Sequence, residues 1–252
     1  MSTENLSGFY EITRQDEIAI IRINKNVFEF ITDINLTNEL LNFIDNIHLN
    51  SDIKALLYYN DPDTFTDEVY DKFINRILGD YKSREECEPP YFTKKIARAR
   101  EINIMNKIIK HLTDLHIIVV AGIQGTVVTP FIGTALAADF RYACEGAKLS
   151  MAHIKFGLHP SGGVPFFLSR FLHHSKALEI QFQDYIIASQ ALELGLINKI
   201  FKKDDFENQI ISEIKEMTRL DYCTIQRTKR LTNFTRKSIS DYFKYEIDML
   251  NI

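Results

Sequence analysis

The stretch Ile117–Gly163, IIVVAGIQGTVVTPFIGTALAADFRYACEGAKLSMAHIKFGLHPSGG, decides how this chain is read. It opens on a fully apolar strand, Ile117–Ile123, and turns at Gln124-Gly125. A short passage, Thr126–Val128, then leads to Thr129-Pro130 and the apolar run Phe131–Ala138. Thr before Pro reads as a helix start, with Thr129 as N-cap and Pro130 at the first helical position, where a missing N–H costs nothing. A strand that delivers the chain to a helix N-terminus leaves unpaired N–H groups and a partial positive charge facing one spot. Such a spot suits a developing oxyanion. The plainer alternative is an ordinary buried strand–turn–helix.

Working outward, Glu17–Asn24 reads as a strand and Asp33–Ile47 as an amphipathic helix, with Ile34, Leu36, Leu40, Leu41, Phe43, Ile44 and Ile47 at near-helical spacing. Ile53–Tyr59 is a second strand, closed by the turn signal Asn60-Asp61-Pro62-Asp63. Strand, helix, strand suggests a right-handed parallel crossover. Glu68–Leu78 again has helical spacing, and the charged stretch Gly79–Pro90, with Cys87, reads as an exposed loop. Phe92–Leu115 predicts a long helix with Ile96, Ala97, Ile102, Ile104, Met105, Ile108, Ile109 and Leu112 inward. Beyond Gly163, the stretches Val164–Phe171, Ala177–Phe182, Phe206–Met217 and Thr224–Ile252 are helical in pattern.

Composition narrows the classes. With 252 residues, 45% hydrophobic and 25% charged, the chain can bury one substantial core. A net charge of −4 and the absence of a Lys/Arg stripe with interleaved aromatics argue against nucleic acid. No apolar run reaches the roughly 18–20 residues of a membrane span, so no membrane partner is expected. The start, MSTENLSGFYE, lacks a basic region followed by an apolar core. Cys87, Cys144 and Cys223 are widely spaced and odd in number, which fits free thiols in a reducing cytoplasm. Neither a dinucleotide glycine fingerprint nor a phosphate-loop motif is present.

Several motifs together resemble the crotonase (enoyl-CoA hydratase/isomerase) superfamily. IIVVAGIQG matches that family's buried strand, and Ala138–Leu149, ADFRYACEGAKL, matches its later Cys-Asp-Phe-Arg segment. KFGLHPSGG (Lys155–Gly163) resembles the Gly-Leu-x-Pro-x-x-Gly segment, and IIASQALELGLINKIF (Ile186–Phe201) the Ile-x-Ala-x-x-Ala-x-x-x-Gly-Leu-Val-Asn segment. SDIKALLYYNDPDTFTDEV (Ser51–Val69) sits where the family has a strand and then Phe-Ser-Ala-Gly-Ala-Asp. The resemblance spans residues 18–201. It implies an α/β fold, a crotonase-like (ClpP/crotonase) spiral of ββα turns over residues 1–163, with a C-terminal helical region, 164–252, in the same unit. It also implies an acyl-CoA or acyl-carrier thioester as ligand, coenzyme A being part of the substrate and no separate cofactor or metal being needed. A homotrimer or a pair of trimers is implied as well.

The site residues depart from the family. Its three glycines fall on Thr129, Pro130 and Phe131, and Pro130 has no N–H to give an oxyanion. A shift of one residue makes Phe131 the donor, paired with Val69, the position after the glycine that Glu68 replaces. The two hydratase glutamates fall on Gly133 and His153, and an isomerase carboxylate on Ser161. Hydration by a glutamate pair is therefore not expected. His153 is the candidate acid/base residue, since imidazole titrates near neutrality; the alternative is a hydrogen-bonded core histidine. Ser161 is a candidate to orient a water, or plain turn chemistry, and His159 beside it reads as an exposed loop residue. Gly133 and Pro130 are expected along the substrate pocket, Gly133 either making room for a substrate group or allowing close packing. Asp139 and Arg141 read as architectural, Cys144 as a buried small apolar residue. Two readings follow: a thioester enzyme with altered acid/base groups, or a non-catalytic thioester-binding or partner subunit.

Overall fold

The computed structural model describes residues 8–25, 27–49, 52–78 and 92–249. The stretch 79–90, expected as an exposed loop around Cys87, lies outside them. The chain runs β1 (Tyr10–Gln15), β2 (Ile18–Ile23), α1 (Val27–Phe30), α2 (Ile34–Asn46), β3 (Ala55–Asn60), α3 (Asp67–Leu78), α4 (Lys95–Asp114), β4 (Ile118–Ile123), β5 (Thr126–Val128), α5 (Phe131–Ala137), β6 (Phe140–Cys144) and β7 (Lys148–Ser150). After a 3-10 turn (Ala152–Phe156) come α6 (Val164–Phe171), α7 (His174–Gln181), β8 (Tyr185–Ile187), α8 (Ala188–Glu193), β9 (Lys199–Phe201), α9 (Phe206–Thr218), α10 (Tyr222–Thr232) and α11 (Ile239–Met249).

Six strands form one sheet in the order β1-β2-β3-β4-β6-β9, parallel apart from the β1–β2 hairpin, and β5-β7-β8 form a second. Strands β8 and β9, from beyond Gly163, thus complete both sheets. β3 and β4 are buried along their whole length, which is why they read as continuous apolar runs rather than alternating ones. The two-residue period still sorts their faces. Ile18, Ile20, Leu57, Val120 and Tyr142 meet Phe206, Ile210, Ile214 and Ile225 of α9 and α10. Ile21, Leu56, Val119 and Ala121 join the larger cluster with α2, α4 and α5.

Local signals explain some boundaries. Asp33 caps α2, its carboxylate accepting from the N–H groups of Asn35 (2.9 Å) and Leu36 (3.2 Å). At the Gln124-Gly125 turn, φ is +63° and a Cβ would lie 2.1 Å from the Pro62 carbonyl oxygen, so only glycine fits. Among the described residues no helix is long and apolar enough to cross a membrane. One helix face departs from its pattern. In α4 the expected inward Ile96 is 71% exposed, while Arg98 and Glu101 are fully buried.

Candidate functional site

β5 delivers the chain to α5 through a cis Thr129-Pro130 peptide. The helix starts one residue later than its sequence suggests: Pro130 is the N-cap and Phe131 the first helical residue. Thr129 does not cap the helix, because its hydroxyl is taken by the Nδ1 of His153 at 3.0 Å. Its N–H donates to the Ser150 carbonyl at 3.1 Å, tying the entrance of α5 to β7. Among the described residues no hydrogen bond takes up the Phe131 N–H. The Phe131 ring is core. It stacks on Phe65 with centroids 4.2 Å apart and meets Phe28 edge-on at 5.3 Å.

The other expected donor, Val69, lies in the first turn of α3, and its N–H points to the Thr66 hydroxyl at 3.4 Å. Neighbouring Glu68 is exposed and does not stand in for a lost carboxylate. Gly133 serves close packing: a Cβ there would lie 1.6 Å from the Gly162 carbonyl oxygen. Gly162 in turn abuts Pro130, whose carbonyl oxygen would be 2.6 Å from a Cβ on Gly162. The two positions expected along a pocket are thus in contact with the Gly162-Gly163 turn. Ser161, just before that turn, is buried.

His153 is 3% exposed and its pKa is lowered to about 4, first by burial and then by the fields of His159 and Arg98. It is a neutral imidazole at pH 7, suited to donating or accepting a hydrogen bond rather than to storing a proton. His159 is not the exposed loop residue its sequence context suggests. It is half-buried, its Nδ1 donates to the Pro160 carbonyl at 3.1 Å, and its buried Nε2 has no partner among the described residues. Burial also lowers its pKa, partly offset by that carbonyl.

Sequence reasoning missed the groups around them. Arg98 pairs through Nη1 with Glu101, and both side chains are fully buried. Arg98 Nε and Nη2 and Glu101 Oε1 have no partner among the described residues. Burial pulls the arginine pKa down, but Glu101, Tyr70 and Glu246 more than offset it; burial raises that of Glu101. Each such orphan costs about 1–3 kcal/mol, and more when charged. Glu246 of α11 completes the group, its two oxygens each accepting at 3.0 Å from the N–H of Gly162 and of Gly163. Both glycines have φ near +70°, which aims consecutive amides at one anion. The signal available in the sequence was Arg98 and Glu101, one turn apart on the face that otherwise carries Ile102 and Met105.

A second buried charged group is architectural, as the Asp-Phe-Arg segment suggested. Asp139 Oδ2 accepts from the Val119 N–H (2.8 Å) and from Lys229 Nζ (2.6 Å), which also donates to the Ile117 carbonyl (2.6 Å). Arg141 donates to the carbonyls of Leu196 (2.5 Å) and Ala138 (2.8 Å). Cys144 is buried, its pKa raised chiefly by burial, the setting of an unreactive thiol.

Comparison with known proteins follows the same lines. Residues 94–251 match the sequence profile of a family described as Enoyl-CoA hydratase/isomerase. A probable peroxisomal enoyl-CoA hydratase 1 of Arabidopsis thaliana is 32% identical over 88 residues, which span 34% of this chain and 33% of that protein. Among solved structures, an enoyl-CoA hydratase from Bacillus halodurans superposes with a TM-score of 0.74 at 18% identity, over 96% of this chain and 92% of that one. DspI of Pseudomonas aeruginosa gives 0.73 at 19% identity, over 98% of both chains. The fold is therefore the crotonase-like α/β fold with a helical C-terminal region.

Proposed function

We propose, from the premise that the chain belongs to the enoyl-CoA hydratase/isomerase family, that it holds an acyl-CoA or acyl-carrier thioester and does not hydrate it. The observation that carries this reading is the pair formed by the free Phe131 N–H and the neutral His153 linked to Thr129. In this reading the thioester oxygen lies on the Phe131 N–H, with the Val69 N–H turning from the Thr66 hydroxyl to share it. Two backbone donors are the usual means of stabilising charge on such an oxygen, and losing one costs about 10²–10³ in rate. His153 positions the reacting group as a neutral hydrogen-bonding imidazole, and Ser161 lies in the adjoining loop. The hydratase glutamate pair has no counterpart, since Gly133 is packed on Gly162 and His153 is uncharged.

A second reading, binding without turnover, is favoured by one observation: the Val69 N–H already has an acceptor. Incubation with enoyl-, 3-hydroxyacyl- and malonyl-type CoA thioesters, followed by mass spectrometry and by calorimetric binding, separates the two. Product formation lost in His153→Ala supports the enzyme, binding without product supports the second reading, and rapid hydration of crotonyl-CoA would show that the protein hydrates its thioester after all. A cytoplasmic trimer or pair of trimers belongs to the same reading, and light scattering in solution checks the assembly.

A further inference from the structure

Arg98 is a guanidinium held at one corner and, among the described residues, unpartnered along one edge. Glu101 engages Nη1, and the Phe92 ring lies 5.5 Å from the guanidinium carbon. Nε and Nη2 are buried and without partners among the described residues. Those two nitrogens are the side edge that receives a carboxylate through two parallel N–H···O bonds. The group lies at the site by packing: α4, which carries Arg98, lies against α5, which begins at Phe131, and against α11, whose Glu246 accepts from the Gly162 and Gly163 N–H groups beside Pro130 and Gly133. We propose that Arg98 receives a carboxylate carried by the acyl group itself, so that the ligands are thioesters of short dicarboxylic acids. This rests on the thioester reading above.

Charge balance gives the inference a second signature. Glu101 already faces Arg98, and Glu246 lies within the field of the same cation. A further anion is accommodated most readily together with a proton. Two acceptors without partners among the described residues stand ready for it. His159 Nδ1 donates to a carbonyl, so Nε2 carries a free lone pair, and Glu101 Oε1 is likewise unpartnered. The proton comes from solvent and no bond in the ligand changes.

The test compares succinyl-CoA with butyryl-CoA, and glutaryl-CoA with valeryl-CoA, by isothermal calorimetry on the full chain in buffers of different ionisation enthalpy. The dicarboxylic ligand is expected to bind about 10- to 100-fold more tightly, the range for hydrogen bonds to a charged group. Uptake of close to one proton is expected only with that ligand. Arg98→Gln removes the difference between paired ligands, and Arg98→Lys, which keeps the charge but not the fork, restores only part of it. Should these variants fail to fold, the ligand pairs on the unaltered chain decide alone. Equal affinity within each pair, or a preference that survives Arg98→Gln, overturns this inference and leaves the thioester reading standing. No binding of any CoA thioester overturns both.

Discussion

Among its described residues the molecule buries two groups of charge, and it treats them in opposite ways. At the N-terminal ends of β4 and β6, Asp139 and Lys229 are engaged: one carboxylate oxygen accepts twice, and the ammonium donates to a carboxylate and a carbonyl. On α4, which packs against α5, Arg98 and Glu101 are buried more deeply, yet among the described residues two donor atoms and one acceptor of that pair stand unused. The first arrangement explains itself as structure, because each group holds a named strand or helix in place. The second does not, since removing polar groups from water without partners is unfavourable and nothing in the fold is gained from the free edge. A buried charge is a poor guide to function, then, until its hydrogen bonds are counted.

The comparison is broken most severely at Asp139. Asp139→Ala strands Lys229 in an apolar setting and leaves the Val119 N–H without its side-chain acceptor. The expected loss is about 3–5 kcal/mol, the cost of removing one partner of a buried pair. Urea unfolding followed by circular dichroism measures it, and a loss under about 1 kcal/mol would show the network to be dispensable.

How far each place was legible in the sequence follows from the same contrast. The strand Ile118–Ile123, helices such as α2, α4 and α9, and the Asp-Phe-Arg segment could be read because buried parallel strands and amphipathic helices write their burial into a local pattern. Gly133 was legible only as an ambiguity, because what a glycine makes room for is set by a distant partner, here the Gly162 carbonyl. Thr129 was read as a helix cap because cap chemistry is local, whereas its hydroxyl serves His153, 24 residues on. Arg98, Glu101 and Glu246 were missed for a related reason. Periodicity assumes that the apolar residue goes inward, and Ile96 lies outside while Arg98 lies inside. The Gly162-Gly163 turn that receives Glu246 shows in sequence as glycines, but its occupant arrives from α11.

At the site itself, Gly133→Ala sharpens the comparison by forcing α5 away from the Gly162 turn. Its new Cβ meets a backbone carbonyl at 1.6 Å, so the backbone must move, and a loss of about 3 kcal/mol is expected. Thermal unfolding of the variant would show it; an unchanged midpoint would mean that the contact is loose. The neighbouring His153 gives a pH signature of slightly smaller size. Its native pKa of about 4 lies below the unfolded value, so the unfolded chain takes up the proton first. Its contribution is complete above roughly pH 6.5 and is lost as pH falls toward 4, amounting to about 2–3 kcal/mol. His159, lowered in the same direction, adds to the slope. Urea titrations between pH 4 and 7 on the unaltered chain and on His153→Gln isolate the His153 part, and parallel curves would refute it.

The smallest expected effect is the most discriminating, because its sign differs between the two places. Replacing an entire buried ion pair by apolar residues of similar volume removes the desolvation cost together with the attraction, and is often neutral or stabilising. Arg98→Met combined with Glu101→Leu deletes three orphaned atoms along with the pair, so stability should hold or rise by about 1 kcal/mol. The matching double change at Lys229 and Asp139, to Met and Leu, takes away bonds to Ile117 and Val119 that no apolar side chain replaces. It should cost about 2 kcal/mol, two unsatisfied backbone groups at the low end of their range. Equal losses from both double variants would place Arg98 and Glu101 with the architecture. A gain at the first and a loss at the second would mean that the chain keeps a destabilising charge beside His153, as a group retained for a ligand requires.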